Sequence, residues 1–287
     1  MDSNKPRIPL EKFENNNEAD EGKLVYNFSP GPCILPRAVL DKAGEGIVNY
    51  KNSGQSVMEM SHRSPMFIEI SDGGKEEIRK FLDVPETHTI MFNQGGATSI
   101  YTAVVKNLIG LKPAKKAMYL TTGLWSEQCL SEARKHIPAD KLIEVTNTKG
   151  SNYTKLTDPN TWNIDKEASY LHMCANETVH GFEITDTNFP WEKIPKDMVV
   201  VGDMSSNIGS FKINWDRFDV VYAGVSKNLG PTGASLVICR KDIMGKAEKD
   251  VPILNDWAKF ESSPGTYYNT PPVWCIFVTA LNISYMN

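Results

Sequence analysis

Cysteine is scarce and unpatterned in this chain of 287 residues: the five, Cys33, Cys129, Cys174, Cys239 and Cys275, form no C-x-x-C pair. An odd count without a framework argues against a disulfide scaffold and for reduced thiols in a cytosolic protein. It also gives no metal-ligand spacing, so no metal is expected. No apolar run approaches the ~18 residues of a membrane span. The start, Met1-Asp-Ser-Asn-Lys-Pro-Arg, lacks the apolar core of a signal peptide. Basic blocks are absent too, and the net charge is −4. Neither nucleic acid nor a membrane is therefore expected as a partner. Walker and dinucleotide loops are missing: Asp72-Gly-Gly-Lys75 fails the first spacing, and Asn93-Gln-Gly-Gly fits neither. There is no internal repeat.

What is present is a globular composition, 40% hydrophobic, enough for one large core or two domains. Residues 1–23 are polar, with the run Glu14-Asn-Asn-Asn-Glu-Ala-Asp-Glu, and read as a disordered tail. Helices are predicted over residues 37–50, 65–82, 97–111 and 126–136. Strands are predicted over 89–92, 117–121, 142–145, 170–173, 198–202, 219–223 and 234–239. Strand and helix alternate, which implies an α/β fold with a mostly parallel sheet, and such sheets take ligands at the carboxyl ends of their strands. Val273 to Met286 reads as an apolar helix with no Gly or Pro stop after it. The chain is expected to be cut there, leaving that helix without a packing partner.

Between two apolar runs, Asp219–Ala223 and Ala234–Cys239, stands Lys227 in a turn of small residues. An amine at the end of a buried strand can lose its proton by desolvation and attack a carbonyl. Pyridoxal phosphate offers such a carbonyl. Four other segments supply what that cofactor needs. Asn93-Gln-Gly-Gly-Ala-Thr-Ser-Ile lies between a strand and a helix, where free N–H groups favour a phosphate, with hydroxyls on Thr98 and Ser99. Alone it reads equally well as an ordinary turn. Asp203 ends an apolar strand, and an acid there can pair with a pyridinium nitrogen. Trp125, just after a strand, can stack on a ring or simply fill the core. Thr178, in Cys174-Ala-Asn176-Glu177-Thr178, can hydrogen-bond a phenolic oxygen or belong to a polar loop.

The order of these segments resembles that of the phosphoserine aminotransferases. So do Tyr26-Asn-Phe-Ser-Pro-Gly-Pro, Val57-Met-Glu-Met-Ser-His62-Arg63-Ser, Ala223-Gly-Val-Ser-Lys-Asn-Leu-Gly-Pro and Tyr268-Asn-Thr-Pro-Pro. The resemblance covers about residues 24–287. It implies a fold-type I, pyridoxal-phosphate-dependent transferase: a mixed, mostly parallel sheet flanked by helices, in a homodimer with shared active sites. Its reaction exchanges an amino group between glutamate and 3-phosphohydroxypyruvate, giving O-phosphoserine and 2-oxoglutarate in serine biosynthesis.

By the same resemblance Lys227 is the Schiff-base lysine and proton carrier. Asp203 pairs with the ring nitrogen, Trp125 stacks on the ring and Thr178 binds the phenolic oxygen. Ala97 and Thr98 hold the phosphate, which Asn269 and Thr270 reach from the other subunit. His62 and Arg63 reach across toward the substrate phosphate, for which an Arg fork is suited. Taken without the resemblance, Arg63 reads as a surface residue beside a helix-capping Ser61. Ser226 stands where the family has Gln, and Ala97 and Thr98 where it commonly has Gly or Arg. The implied division is a large domain over residues 24–272 and, over 273–287, the start of a helix leading to a small domain that is absent. With that domain goes an arginine for the substrate carboxylate, so weak turnover is expected. The alternatives are a shortened cofactor-binding isoform or another fold-type I transaminase.

Overall fold

Among the residues described by the computed structural model, 27–287, seven strands form one sheet whose residues are almost all buried. The expected tail over residues 1–23 and the first residues of the 24–272 unit lie outside them. Strands β1 (His88–Gln94), β2 (Lys116–Thr121), β3 (Leu142–Asn147) and β4 (Ala168–Cys174) come first in the chain. A two-residue pair follows, β5 (Asn176–Glu177) and β6 (Phe182–Glu183), and then β7 (Val199–Asp203), β8 (Val220–Gly224) and β9 (Ala234–Arg240). The order across the sheet is β1-β9-β8-β7-β4-β2-β3. The run from β8 through β7, β4 and β2 to β3 is parallel, while β9 is antiparallel to both of its neighbours. Burial on both faces explains why these strands read as continuous apolar runs rather than alternating ones.

One face carries Met91, Tyr119, Tyr170, Val201, Tyr222 and Val237 and is covered by α3 (Thr98–Leu108), α4 (Leu124–Ala133) and the short α5 (Trp257–Glu261). The other carries Phe92, Leu120, Leu171, Val200, Val221 and Leu236 under α1 (Arg37–Asn49), α2 (Pro65–Phe81) and α6 (Val273–Met286). Helix α2 buries the predicted Phe67, Ile70 and Ile78, with Leu82 just beyond its end. Its N-cap is Ser64, whose hydroxyl accepts from Phe67 N, rather than Ser61. The Ser61 hydroxyl instead accepts from the Arg63 N–H. Helix α4 begins at Leu124, two residues earlier than predicted, and ends at Ala133.

The largest departure concerns α6. Its predicted bounds match, but it does not stand free: it packs against α1 and α2 and buries Val273, Cys275, Ile276, Phe277, Val278 and Ile283. Three glycines make the seat. A methyl at Gly74 would lie 2.8 Å from Ala280 Cβ, one at Gly46 2.5 Å from the Phe277 ring, and one at Gly230 2.2 Å from Thr279 Oγ1. Asn282 also donates to the carbonyls of Asn228 and Leu229, tying α6 to the loop that carries Lys227. Among the described residues no helix is long and apolar enough to cross a membrane.

Candidate active site

The carboxyl ends of β1, β2, β4, β7 and β8 lie along one edge of the sheet, as their parallel alignment requires. One cavity opens there. The segment after each strand contributes: Ala97 and Thr98 after β1, Trp125 after β2, Thr178 after β4, Asp203 at the end of β7, and Ser226 and Lys227 after β8. Seven of the sequence-derived site residues thus share one cavity. His62, Arg63, Asn269 and Thr270 do not line it.

Lys227 sits in the loop from Val225 to Gly233 that joins the antiparallel β8 and β9. The loop is closed by Val225 N to Ala234 O, 3.2 Å, and by Leu229 N and Gly230 N on Val225 O. The flanking strands are buried as expected, but Lys227 itself is only half-buried. Asn228 braces the loop by donating to Ile208 O.

The turn before α3 is pinned to β9. Gly95 has φ +91°, a conformation suited to glycine. Its N–H donates to Gly233 O and its carbonyl accepts from Ser235. The Ser99 hydroxyl donates to the carbonyls of Gly96 and Gln94, so it does not offer the phosphate contact that sequence reasoning allowed it. The N–H groups of Ala97 and Thr98 find no acceptor among the described residues. They open on the cavity at the start of an eleven-residue helix, an arrangement that favours an anion. Gly224 permits the close approach, since a Cβ there would meet Ala97 N at 3.3 Å.

Trp125 is placed by Glu177, a residue that the sequence reading quoted without giving it a role. The buried Glu177 carboxylate accepts from Trp125 N at 2.9 Å, Ser126 N at 2.8 Å and Ser126 Oγ at 2.5 Å. This satisfies donors at the start of α4 and opposes the helix dipole. Gly123 makes the room: a Cβ there would lie 2.5 Å from the carboxylate carbon. The indole N–H then donates to Thr178 Oγ1 at 3.0 Å, which leaves the Thr178 hydrogen free for another acceptor.

Asp203 is 4% exposed. Its Oδ1 accepts from Ser205 N at 3.0 Å and Ser205 Oγ at 2.6 Å. Burial pushes its carboxyl up to about 6, against the pull of Ser205 and Tyr222; the nearby Glu177 adds to the push. None of these groups is a cation, so the cavity presents a buried carboxylate whose charge is unmatched. Ser205 and Ser206 line the cavity as well, with Tyr101, Cys174, Asn176 and Gly224. Ser205 and Ser206 were signalled only by lying two and three residues after Asp203 in the chain.

Asn269 and Thr270 lie beside the turn rather than in it: Gln94 Nε2 donates to Thr270 O at 2.8 Å and Asn269 Nδ2 to Gln94 Oε1 at 3.1 Å. Arg63 is exposed. His62 is half-buried, and burial, with Arg63 adding to it, lowers its proton affinity.

These features fit pyridoxal phosphate. An open helix N-terminus suits its phosphate, a buried unmatched carboxylate its ring nitrogen, a fixed indole its ring face, and a lysine its carbonyl.

Comparison with known proteins agrees. The family described as Aminotransferase class-V matches residues 25–287. Phosphoserine aminotransferase 1, chloroplastic, of Arabidopsis thaliana is 38% identical over 257 residues, 90% of this chain and 57% of the relative. The phosphoserine aminotransferase of Herminiimonas arsenicoxydans is 36% identical over 92% of this chain and 70% of its own length. The chain therefore spans between about three fifths and seven tenths of these curated relatives. Among solved structures, phosphoserine aminotransferase from Bacillus circulans subsp. alkalophilus superposes with a TM-score of 0.82 at 31% identity, covering 91% of this chain and 69% of that one. PLP-bound phosphoserine aminotransferase from Trichomonas vaginalis gives 0.81 at 32% identity, covering 91% and 74%.

Proposed function

The chain belongs to the class-V aminotransferases, and on that premise we propose that it exchanges an amino group between glutamate and 3-phosphohydroxypyruvate, forming O-phosphoserine and 2-oxoglutarate. The observation that carries this reading is the meeting of Lys227, Asp203 and the open start of α3 in one cavity, in a chain 36–38% identical to phosphoserine aminotransferases.

Pyridoxal phosphate, the cofactor of the family, supplies when bound a carbonyl that condenses with amines and a ring that accepts electrons. The chain's residues do the rest. Ala97 and Thr98 hold the phosphate through their backbone N–H groups, with the Thr98 side chain at the rim. Trp125 covers one ring face, kept in place by Glu177 behind it and Thr178 beside it. The free hydrogen of Thr178 is donated to the phenolic oxygen. Asp203 keeps a proton on the ring nitrogen, which favours withdrawal of electrons from the substrate Cα. Lys227 Nζ would hold the cofactor through its carbonyl, and the same amine would carry the proton away from the substrate Cα. Ser226 contributes a hydroxyl near the phosphate in place of a longer amide.

The protein acts as a cytoplasmic homodimer in serine biosynthesis, with small-molecule substrates. Asn269 and Thr270 complete the phosphate site of the other subunit, and His62 and Arg63 bind its substrate's phosphate. The placement of these four residues outside their own cavity supports this sharing. The test is amino transfer from O-phosphoserine to 2-oxoglutarate. Transfer from phosphoserine at least tenfold more efficient than from serine, alanine or aspartate is expected. Preference for an unphosphorylated donor would replace this reading with another transaminase of the same fold.

A further inference from the structure

Behind Asp203 lies a buried polar chain that cofactor binding alone does not require. Asp203 on β7 and Tyr222 on β8 are directly paired in register, so their side chains leave the sheet on the same face, beneath α3 and α4. His172 on β4 lies on that face too, two residues from Tyr170. Its Nε2 is 2.8 Å from Tyr222 Oη and 3.4 Å from Cys129 Sγ of α4. His172 and Tyr222 are fully buried. Tyr222 faces the Asp203 carboxylate as its register neighbour and lowers its proton affinity, although no hydrogen bond joins the two among the described residues.

The direction of the Tyr222 hydrogen follows from the histidine. Burial holds His172 neutral, its proton affinity pushed down to about 3, so the ring carries one N–H. Its Nδ1 is buried and finds no partner among the described residues. A proton on Nδ1 would be a stranded donor, whereas a proton on Nε2 leaves only a stranded lone pair, the lesser cost. The Nε2–H then donates to Tyr222 Oη, and the phenol must point its own hydrogen elsewhere. Two acceptors are near: the Cys129 thiol, kept protonated by burial and weak as an acceptor, and the Asp203 carboxylate. The carboxylate is much the better.

Other groups face Asp203. They are Tyr101 on α3, Cys129 on α4, Cys174 on β4 and Glu177 on β5, with Lys227 across the cavity. Glu177 is committed to the start of α4, the thiols are poor donors, and no hydrogen bond orients the Tyr101 hydroxyl among the described residues.

We propose that His172 and Tyr222 are positioning residues: the imidazole fixes the direction of the phenol hydrogen, and the phenol holds Asp203 ionised and oriented to keep a proton on the cofactor ring nitrogen. This rests on the reading that Asp203 faces that nitrogen, and the experiment separates the two. The protein is loaded with pyridoxal phosphate labelled with ¹⁵N in the ring, and the nitrogen shift is followed against pH. Tyr222→Phe and His172→Phe each lose the ring proton about one pH unit below the parent, a tenfold weaker hold. His172→Gln, whose side-chain N–H can stand in for Nε2–H, stays close to the parent. If Asp203→Asn fails to move the midpoint, the assignment of Asp203 itself falls. If Asp203→Asn moves it and Tyr222→Phe does not, the relay is overturned. Should Tyr222→Phe fail to fold, the two histidine variants decide: equal midpoints in His172→Gln and His172→Phe overturn the relay equally.

Discussion

The Glu177 carboxylate grips the backbone of Trp125: one oxygen accepts the Trp125 N–H at 2.9 Å while the other takes both donors of Ser126. A side chain from the end of one strand thus caps the helix that starts after another. Glu177→Ala strands these donors and is expected to destabilise the protein by about 2–4 kcal/mol, read from urea unfolding. Glu177→Gln, which keeps one good acceptor, should lose about half as much. A loss below ~0.5 kcal/mol for the alanine variant would mean that α4 does not depend on this cap.

On the proposed function, Lys227 is the amine that reacts with the cofactor. Borohydride reduction of the pyridoxal-phosphate-loaded protein should fix the cofactor mass on the peptide containing Lys227, as mass spectrometry would report. Lys227→Ala should take no label and lose at least ~10³-fold in amino-transfer rate. Label on another lysine would refute the assignment.

Burial raises Asp203 to about 6 in the cofactor-free protein, against an ordinary value near 3.8. A carboxyl whose proton is held more tightly in the folded state favours folding at low pH. That contribution is whole below about 4 and fades as pH rises through about 6, an effect of roughly 3 kcal/mol. Asp203→Asn removes it. The variant's stability advantage over the parent should therefore grow between pH 4 and pH 6.5, measured without cofactor. A difference that stays flat with pH would show that Asp203 titrates normally.

Shared sites predict complementation. Lys227→Ala and Arg63→Ala chains are each expected to be nearly inactive. Refolded together at equal amounts, half the dimers pair unlike chains, and each holds one intact site, so roughly a quarter of parental activity should return. No recovery, with mixed dimers verified by mass spectrometry, would place Arg63 in its own subunit's site.

The strands of the main sheet were legible because each is a buried apolar run, and helices α1, α2, α3 and α6 because of flanking prolines or apolar content. What escaped depends on distant residues. The start of α4 was set two residues too late because its cap, Glu177, lies 52 positions from Trp125. The pair β5 and β6, two residues each, is too short to show a period. That β9 runs antiparallel could have been read from the nine residues between β8 and β9, too few for a crossover. The packing of α6 was missed because its seat is made by what Gly46, Gly74 and Gly230 lack. Ser99 was offered to the phosphate because sequence gives the hydroxyl but not its direction. Tyr222 and His172 drew no separate reading, since the bond between them joins strands separated in the sheet by β7.

Helix α6 holds the lysine loop by the carbonyls of Asn228 and Leu229, through Asn282, and by the carbonyl of Pro231, through Cys275. The loop's own closing bonds, from Leu229 N and Gly230 N to Val225 O, cannot be broken far without disturbing that helix. In hydrogen exchange these two amides should open with α6 as one cooperative unit, not with the free energies of a surface loop. The Lys227 amine is then borne on a segment as rigid as the core beneath it, and its freedom is confined to its four-carbon stem.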